Sequence, residues 1–309
     1  LSLFLSAKQK IGLKEYNVGL EIDYEVNNLS DKYVFADSIV KELIITFNPS
    51  LKRELWSGNL NFGFDLVSMD ARDSSNIKLA AFPQLTYDYI FSENNLSASF
   101  GIKSGLYKNT YWSLSKKNPF VLNALTNDGD GLNLINSKVL YDFYIGMNAY
   151  LGNDIHYSSN ISYSSVQDMS FFELDLSSIY QNKFKVVYDD VNHLLWSSEL
   201  EWEINSNANL NLQLDYHKYD LDSLQDYAYK PSIVSKLGFS YNFGDKILSQ
   251  IELVGAFERS TASDSASTAP LLNDILDVNF ALEYKYNSIF SAYFKARNLI
   301  GGYQIWENY

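Results

Sequence analysis

Residues 208–218 read Ala208-Asn-Leu-Asn-Leu-Gln-Leu-Asp-Tyr-His-Lys218. Leu210, Leu212, Leu214 and Tyr216 fall on one side of an extended chain. Asn209, Asn211, Gln213, Asp215 and His217 fall on the other. A period of two marks a strand whose two faces meet different surroundings. The stretch is also long. Strands of soluble proteins usually run about 5–6 residues, whereas a tilted strand needs about 9–11 to cross a bilayer's hydrocarbon core.

The same alternation recurs along the chain. Tyr16, Val18, Leu20, Ile22, Tyr24 and Val26 oppose Asn17, Gly19, Glu21, Asp23, Glu25 and Asn27. Leu96, Ala98, Phe100 and Ile102 oppose Ser97, Ser99, Gly101 and Lys103. Residues 235–244 and 276–286 alternate in the same way. No segment carries a helical period, and no run of about eighteen apolar residues offers a membrane helix. The opening Leu1-Ser-Leu-Phe-Leu-Ser-Ala7 reads as a strand; as the tail of a signal peptide it lacks an initiator Met and a basic leader.

Between the alternating segments, short and long connections take turns. Short turns fall at 91–96, 151–155, 204–208, 243–247 and around Asn287, with weaker cases at 10–15 and 52–56. Long polar connections fall at 27–41, 69–78, 108–138, 167–194, 220–232 and 259–275. That rhythm is the one expected of an outer-membrane barrel, with short periplasmic turns and long outer loops. Tyr16, Tyr24, Tyr87, Tyr89, Tyr150, Tyr157, Tyr241, Tyr284 and Tyr286 lie near strand ends, where an interfacial girdle belongs. The fold class is therefore all-β: a transmembrane up-and-down antiparallel β-barrel forming a single domain over 1–309. Its outer loops are placed at 27–41, 108–138, 167–194, 220–232 and 259–275.

About fourteen strands are predicted, at 1–9, 16–26, 42–51, 57–68, 79–91, 96–107, 139–151, 155–166, 195–204, 208–219, 233–243, 247–258, 276–286 and 288–297. With short turns in the periplasm, both ends of the chain would lie outside the cell. Barrels usually keep both termini in the periplasm, so the barrel is expected to be partial, with at least one strand lacking at each end. Pro49 and Pro83 fall inside strand patterns and are expected at bulges or strand ends, because proline donates no ladder hydrogen bond.

Composition narrows the function. Lys and Arg number 24 against 37 Asp and Glu, a net charge of −13, which argues against nucleic acid as a partner. There is no cysteine, hence no disulfide, thiolate metal site or cysteine nucleophile. His156, His193 and His217 are far apart in sequence and form no metal-binding pair, so no metal or other cofactor is expected. Asn127-Asp-Gly-Asp-Gly131 has the look of a calcium loop, but in that register Thr126 and Ser137 fail as first and last ligands. No Gly-x-Ser-x-Gly elbow occurs, and no catalytic residue is assigned; an enzyme is not expected.

The remaining pattern is acidity on the polar face. Glu21, Asp23 and Glu25 alternate on one strand and Glu199, Glu201 and Glu203 on another. With apolar neighbours toward lipid, these carboxylates would line the lumen, as would Asp215, His217, Lys295 and Arg297. They could favour cationic cargo, or simply pair with Lys103, Lys285, Lys295 and Arg297 across the wall.

The segment 289–309 ends in Asn298-Leu299 followed by Tyr303, Trp306 and Tyr309. It resembles the end of a TonB-dependent receptor barrel, where an Asn-Leu pair closes a penultimate strand and an aromatic loop follows. Asn118-Pro119-Phe120, Lys185–Asp190 and Tyr219–Pro231 resemble the same family, and the resemblance spans roughly 100–309. It implies a Gram-negative outer membrane, contact with lipid, and outer-membrane or periplasmic protein partners. It also implies binding or transport of a ligand across that membrane. The family's plug and TonB-interacting segment have no counterpart among these residues. The alternative reading is a plug-less structural barrel subunit of a larger outer-membrane assembly or secretion machine.

Overall fold

The computed structural model describes residues 2–11, 14–29, 38–70, 77–92, 95–121, 134–175, 183–224, 227–260 and 271–301. For 2–4, 8–11, 16–29, 38–42, 70, 77–78, 92 and 271 the description is of backbone only. The calcium-like Asn127–Gly131 stretch and the serine-rich loop after Ser260 lie outside the described residues, as do Tyr303, Trp306 and Tyr309.

The first six strands are β1 (Ser2–Ile11), β2 (Lys14–Leu29), β3 (Ser38–Leu55), β4 (Gly58–Asp70), β5 (Ile77–Ser92) and β6 (Leu96–Tyr107). A short helix follows, α1 (Tyr111–Lys117). Then come β7 (Ser137–Leu151), β8 (Ile155–Leu174), β9 (Phe184–Asn205), β10 (Ala208–Leu221), β11 (Ile233–Phe243) and β12 (Ile247–Phe257). A two-residue hairpin, β13 (Arg259–Ser260) and β14 (Leu271–Leu272), precedes β15 (Ile275–Lys285) and β16 (Ser291–Ala296). All but the small hairpin join one 14-stranded sheet in sequence order. Every neighbour in it is antiparallel, as an up-and-down wall requires.

The register puts the apolar residues on one face. Residues directly opposite in an antiparallel ladder share a face. One row runs Tyr87, Phe100, Ile145, Ile161, Trp196, Tyr216, each opposite the next. A second runs Leu151, Ile155, Trp202, Leu210, Phe239, Ile251, Phe280. Phe100, Ile145, Ile161, Trp196, Leu151, Trp202, Phe239 and Ile251 are all exposed. The largest apolar patch on a soluble monomer is about 300–600 Å². A face apolar across this many strands needs a hydrocarbon solvent, and no helix in the described residues is long and apolar enough to cross a membrane in the strands' place.

The opposite face is polar in the same rows. Asp88, Ser99, Gly146, Asn160, Ser197 and Asp215 stand opposite one another in turn. Gly146 is needed there: a Cβ would sit 2.8 Å from Ser99 Oγ and 3.3 Å from Asn160 Oδ1, so a side chain would displace the polar groups it separates.

The prolines sit inside strands rather than at their ends, but where one ladder lapses. Pro49 keeps its pairing with Val18 of β2, while the β3–β4 register skips from Phe47–Leu66 to Ser50–Gly63. Pro83 pairs with Phe64 of β4, while the β5–β6 ladder begins only at Leu85. Ser104 Oγ of β6 donates instead to the Pro83 carbonyl, 2.6 Å away.

Three expectations need correction. A helix exists: Thr110 and Ser113 form a reciprocal capping box on α1, whose seven residues are too few to print a period on the sequence. The strands flanking 167–194 run on into that connection, to Leu174 in β8 and from Phe184 in β9. A bulge between Val166 and Met169 shifts the register there and breaks the alternation. Asp168 takes the left-handed conformation at that bulge (φ 55°), and its N–H donates to Asp190 Oδ1 at 2.9 Å. The connection 259–275 likewise contains the β13–β14 hairpin.

These additions gather at the long-loop end. Leu114 of α1, Val121, Leu134, Phe172, Phe184, Val186, Ala228, Tyr229 and Leu272 pack into one buried cluster. At about 3.3 Å per residue, the 22 residues of β9 are about twice what the hydrocarbon core needs. The upper part of β8 and β9 therefore stands clear of it and carries this platform.

Candidate functional site: the polar face and its loop-end platform

Polar groups on the polar face fall into bands along β9 and β10. Nearest the short turn at Ser206–Asn207 stand Glu199, Glu201 and Glu203, opposite Gln213, Asn211 and Asn209. Glu201 Oε2 lies 3.7 Å from His156 Nδ1, and the His156 ring stacks on Tyr150 at 4.5 Å. Glu201 thus meets a histidine across the ladder instead of one of the lysines expected from the sequence. The ladder of three carboxylates on one face is as the period of two requires.

Midway, Asp215 Oδ1 accepts from Ser197 Oγ at 2.5 Å and Oδ2 from Gln213 Nε2 at 2.9 Å. Above it the acids give way to bases. His217 Nδ1 lies 3.1 Å from His193 Nε2, although 24 residues separate them. Tyr219 stacks on His193 with centroids 4.4 Å apart and planes within 5°. Tyr227, from the β10–β11 connection, packs on Tyr219 at 5.0 Å and shares a 2.9 Å hydrogen bond with Ser232 Oγ. Lys230 places its ammonium over the rings of Phe171 and Tyr219. The sequence singled out His217 but neither His193 as its partner nor Lys230. Only the diagonal neighbour rule, applied to a known β9–β10 register, would have joined the two histidines.

The platform is held to this band by carboxylates. Asp189, 5% exposed, accepts from the Ser223 N–H at both oxygens (3.1 Å each) and from the Leu224 N–H at 2.9 Å. Asp222 N–H donates to the Asp190 carbonyl at 3.0 Å. These bonds fix the start of the β10–β11 connection and so the approach of Tyr227 and Lys230.

At the far end of the sheet, Gln250, Glu252, Asn279, Lys295, Arg297 and Asn298 line an open groove of about 400 Å³. Asn279 Nδ2 donates to Glu252 Oε1 at 2.9 Å, and Asn279 Oδ1 accepts the Asn298 N–H at 3.2 Å. Asn298 is left-handed (φ 57°), and the Leu299 N–H reaches the Val278 carbonyl at 3.0 Å. The Asn-Leu pair is therefore a strand-ending turn, built on a residue that tolerates positive φ. Glu21, Asp23 and Glu25 occupy β2, opposite Phe4, Ser2 and, on the other side, Glu42 in turn; their side chains lie outside the described residues. No cluster of three metal-ligating side chains occurs among the described residues.

No protein-family model matches the chain, and no curated protein does. Solved structures do. The copper transporter OprC superposes with a TM-score of 0.66 at 12% identity, over 97% of this chain and 50% of that one. This chain has the fold of a TonB-dependent receptor barrel. The ferric enterobactin receptor PfeA of Pseudomonas aeruginosa matches with a TM-score of 0.65 at 11% identity, over 97% and 48% of the two chains. The siderophore receptor PiuA of Acinetobacter baumannii gives 0.63 at 12%, over 97% and 51%. The chain spans about half the length of the solved receptors it matches. In a TonB-dependent receptor barrel the wall turns an apolar face to lipid and a polar face inward, which is the division of faces seen here.

Proposed function

We propose that the chain forms the membrane-embedded wall of a receptor in a Gram-negative outer membrane. In this reading it binds a ligand at its loop end and conducts it across along the polar face. The observation that carries this is the pairing of a mainly apolar face with a polar face that bears the acidic ladder, capped at the long-loop end by an ordered platform. Glu199, Glu201, Glu203, Asp215, His217, Lys295 and Arg297 then line the lumen, and the apolar rows meet lipid. Asn298 and Leu299 end a barrel strand. Periplasmic proteins are the partners such a receptor would engage from the short-turn side. The solved structures are named as a copper transporter, a ferric enterobactin receptor and a siderophore receptor, so a metal or its chelate is the first cargo class to try. The accessory-subunit reading gains no support from the receptors that this chain resembles, and no catalytic step belongs to this proposal.

Cell fractionation with heat-modifiable migration in SDS tests the barrel. Uptake of radioactive iron and copper chelates, by cells with and without the protein, tests the cargo. The expected result is an outer-membrane protein that migrates faster unheated, with uptake that falls on its deletion. A chain that folds in water without detergent would overturn the proposal.

A further inference from the structure

Lys230 lies in the connection between β10 and β11, at the loop end of the polar face. Its ammonium is 4.3 Å from the centroid of the Phe171 ring and 5.2 Å from that of Tyr219. Phe171 is itself fully buried. Among the described residues no carboxylate pairs with this ammonium. The titratable groups that face it are cationic or neutral. They are Lys117 from α1, His193 from β9, His217 and Tyr219 from β10, and Tyr227 of its own connection, against Tyr219. The acid along the same face, Asp215, is already engaged by Ser197 and Gln213.

Acids outnumber bases in this chain, 37 to 24. A covered ammonium beside a second lysine, with no acid paired to it among the described residues, costs folding free energy that a neighbouring carboxylate would have offset. Burial first, and the Lys117 charge second, push the Lys230 pKa down to about 7. The aromatic rings relieve part of the cost through their negative faces, but they supply no counter-charge. An incoming anion would.

We propose that Lys230 and Lys117 form an oxyanion subsite at the loop end of the polar face, taking a carboxylate or phosphate-type group of the ligand at an ammonium backed by the buried Phe171 ring and flanked by Tyr219. The inference deepens the receptor reading and rests on it. The lipid-facing rows lie on the other side of the sheet, so the group belongs to a soluble ligand and not to a lipid headgroup. Binding favours the charged form of Lys230, so above about pH 7 it takes up a proton along with the anion.

Sulfate is a suitable probe, because it keeps its charge across the range in which Lys230 titrates. The full chain in detergent micelles is titrated with sulfate by calorimetry near pH 8, in two buffers of different ionisation heat. Saturable binding with proton uptake is expected. Lys230→Met lowers the affinity roughly tenfold or more, the order expected for losing a charge-assisted contact, and Lys117→Gln weakens it less. Lys230→Arg retains binding but abolishes proton uptake, since arginine stays charged. A merely structural lysine would not produce that split. Folding of each variant is read from heat-modifiable migration. No saturable sulfate binding by folded protein, or binding unchanged in Lys230→Met, overturns the subsite. Cargo uptake by cells is scored separately. Uptake that persists without sulfate binding overturns the subsite and leaves the receptor reading standing, whereas sulfate binding without uptake of any cargo supports the subsite and counts against import.

Discussion

His193 Nε2 lies 3.1 Å from His217 Nδ1, with the two rings parallel to within 8°. One imidazole donates and the other accepts, so the neutral pair satisfies both facing nitrogens with one proton. Removing one partner leaves a half-buried nitrogen without its bond, which costs roughly 1–3 kcal/mol; removing both is milder. His217→Phe should therefore lower the thermal unfolding temperature in detergent more than the double variant His193→Phe/His217→Phe does relative to expectation from the two singles. Strictly additive shifts would show that the contact contributes nothing to stability.

Asp189 anchors the connection that carries Tyr227 and Lys230. Its carboxylate takes the N–H groups of Ser223 and Leu224 in a site only 5% exposed. Bonds to an ionised group contribute about 1.5–3 kcal/mol each. Asp189→Ala should release this connection by about 3 kcal/mol or more, and limited proteolysis should then cut within 222–232. Asp189→Asn keeps one acceptor and should be cut more slowly. Equal resistance of wild type and Asp189→Ala would show that the loop is held elsewhere.

Lys230 gives the platform a stability that depends on pH. Its pKa is pushed down to about 7 from 10.5. Between these values the unfolded chain binds more protons than the folded one, so stability rises with pH across that window and the full penalty applies below it. Thermal unfolding in detergent, free of sulfate and phosphate, should show this rise between about pH 7 and 9. Lys230→Met should flatten it and raise stability at the acid end. A slope unchanged by Lys230→Met would assign the dependence to another group.

Alternation was legible wherever one face meets hydrocarbon and the other polar surroundings, and all fourteen sheet strands fall on segments that alternate in the sequence. It fails above the membrane. From Gln167 to Leu174 the strand continues, yet Phe171 and Phe172 are adjacent and both buried, because the platform covers both faces there. The acidic ladder of Glu199, Glu201 and Glu203 was readable for the same reason as the strand that bears it. The band of His193, His217, Tyr219 and Lys230 was not. It draws on two strands and a connection, and no spacing within one segment encodes it.

Asn298 ends β16 by taking a left-handed φ of 57° while its N–H binds Asn279 Oδ1. A β-branched residue at such φ costs about 1–2 kcal/mol, whereas glycine adopts it freely. Asn298→Val should lower the thermal unfolding temperature in detergent, and Asn298→Gly should cost less. The reverse order would mean that the Asn side chain and not its backbone angle sets the turn.

Leu212 and Gln213 are adjacent on β10 and point to opposite faces. Leu212 stands between Leu200 of β9 and Leu237 of β11, in the middle of the apolar face. Gln213 stands between Glu199 and Lys236 on the polar one. An arginine on the lipid side near the bilayer midplane costs about 2–4 kcal/mol, and less toward the interfaces. Leu212→Arg should therefore depress folding into lipid vesicles by an amount in that range. Gln213→Arg meets water and carboxylates, and should fold within about 0.5 kcal/mol of wild type, as surface substitutions do. The contrast isolates the face from the strand, since both changes add the same side chain one residue apart. Equal penalties, or a larger one at Gln213, would mean that the apolar face is not the one that meets lipid.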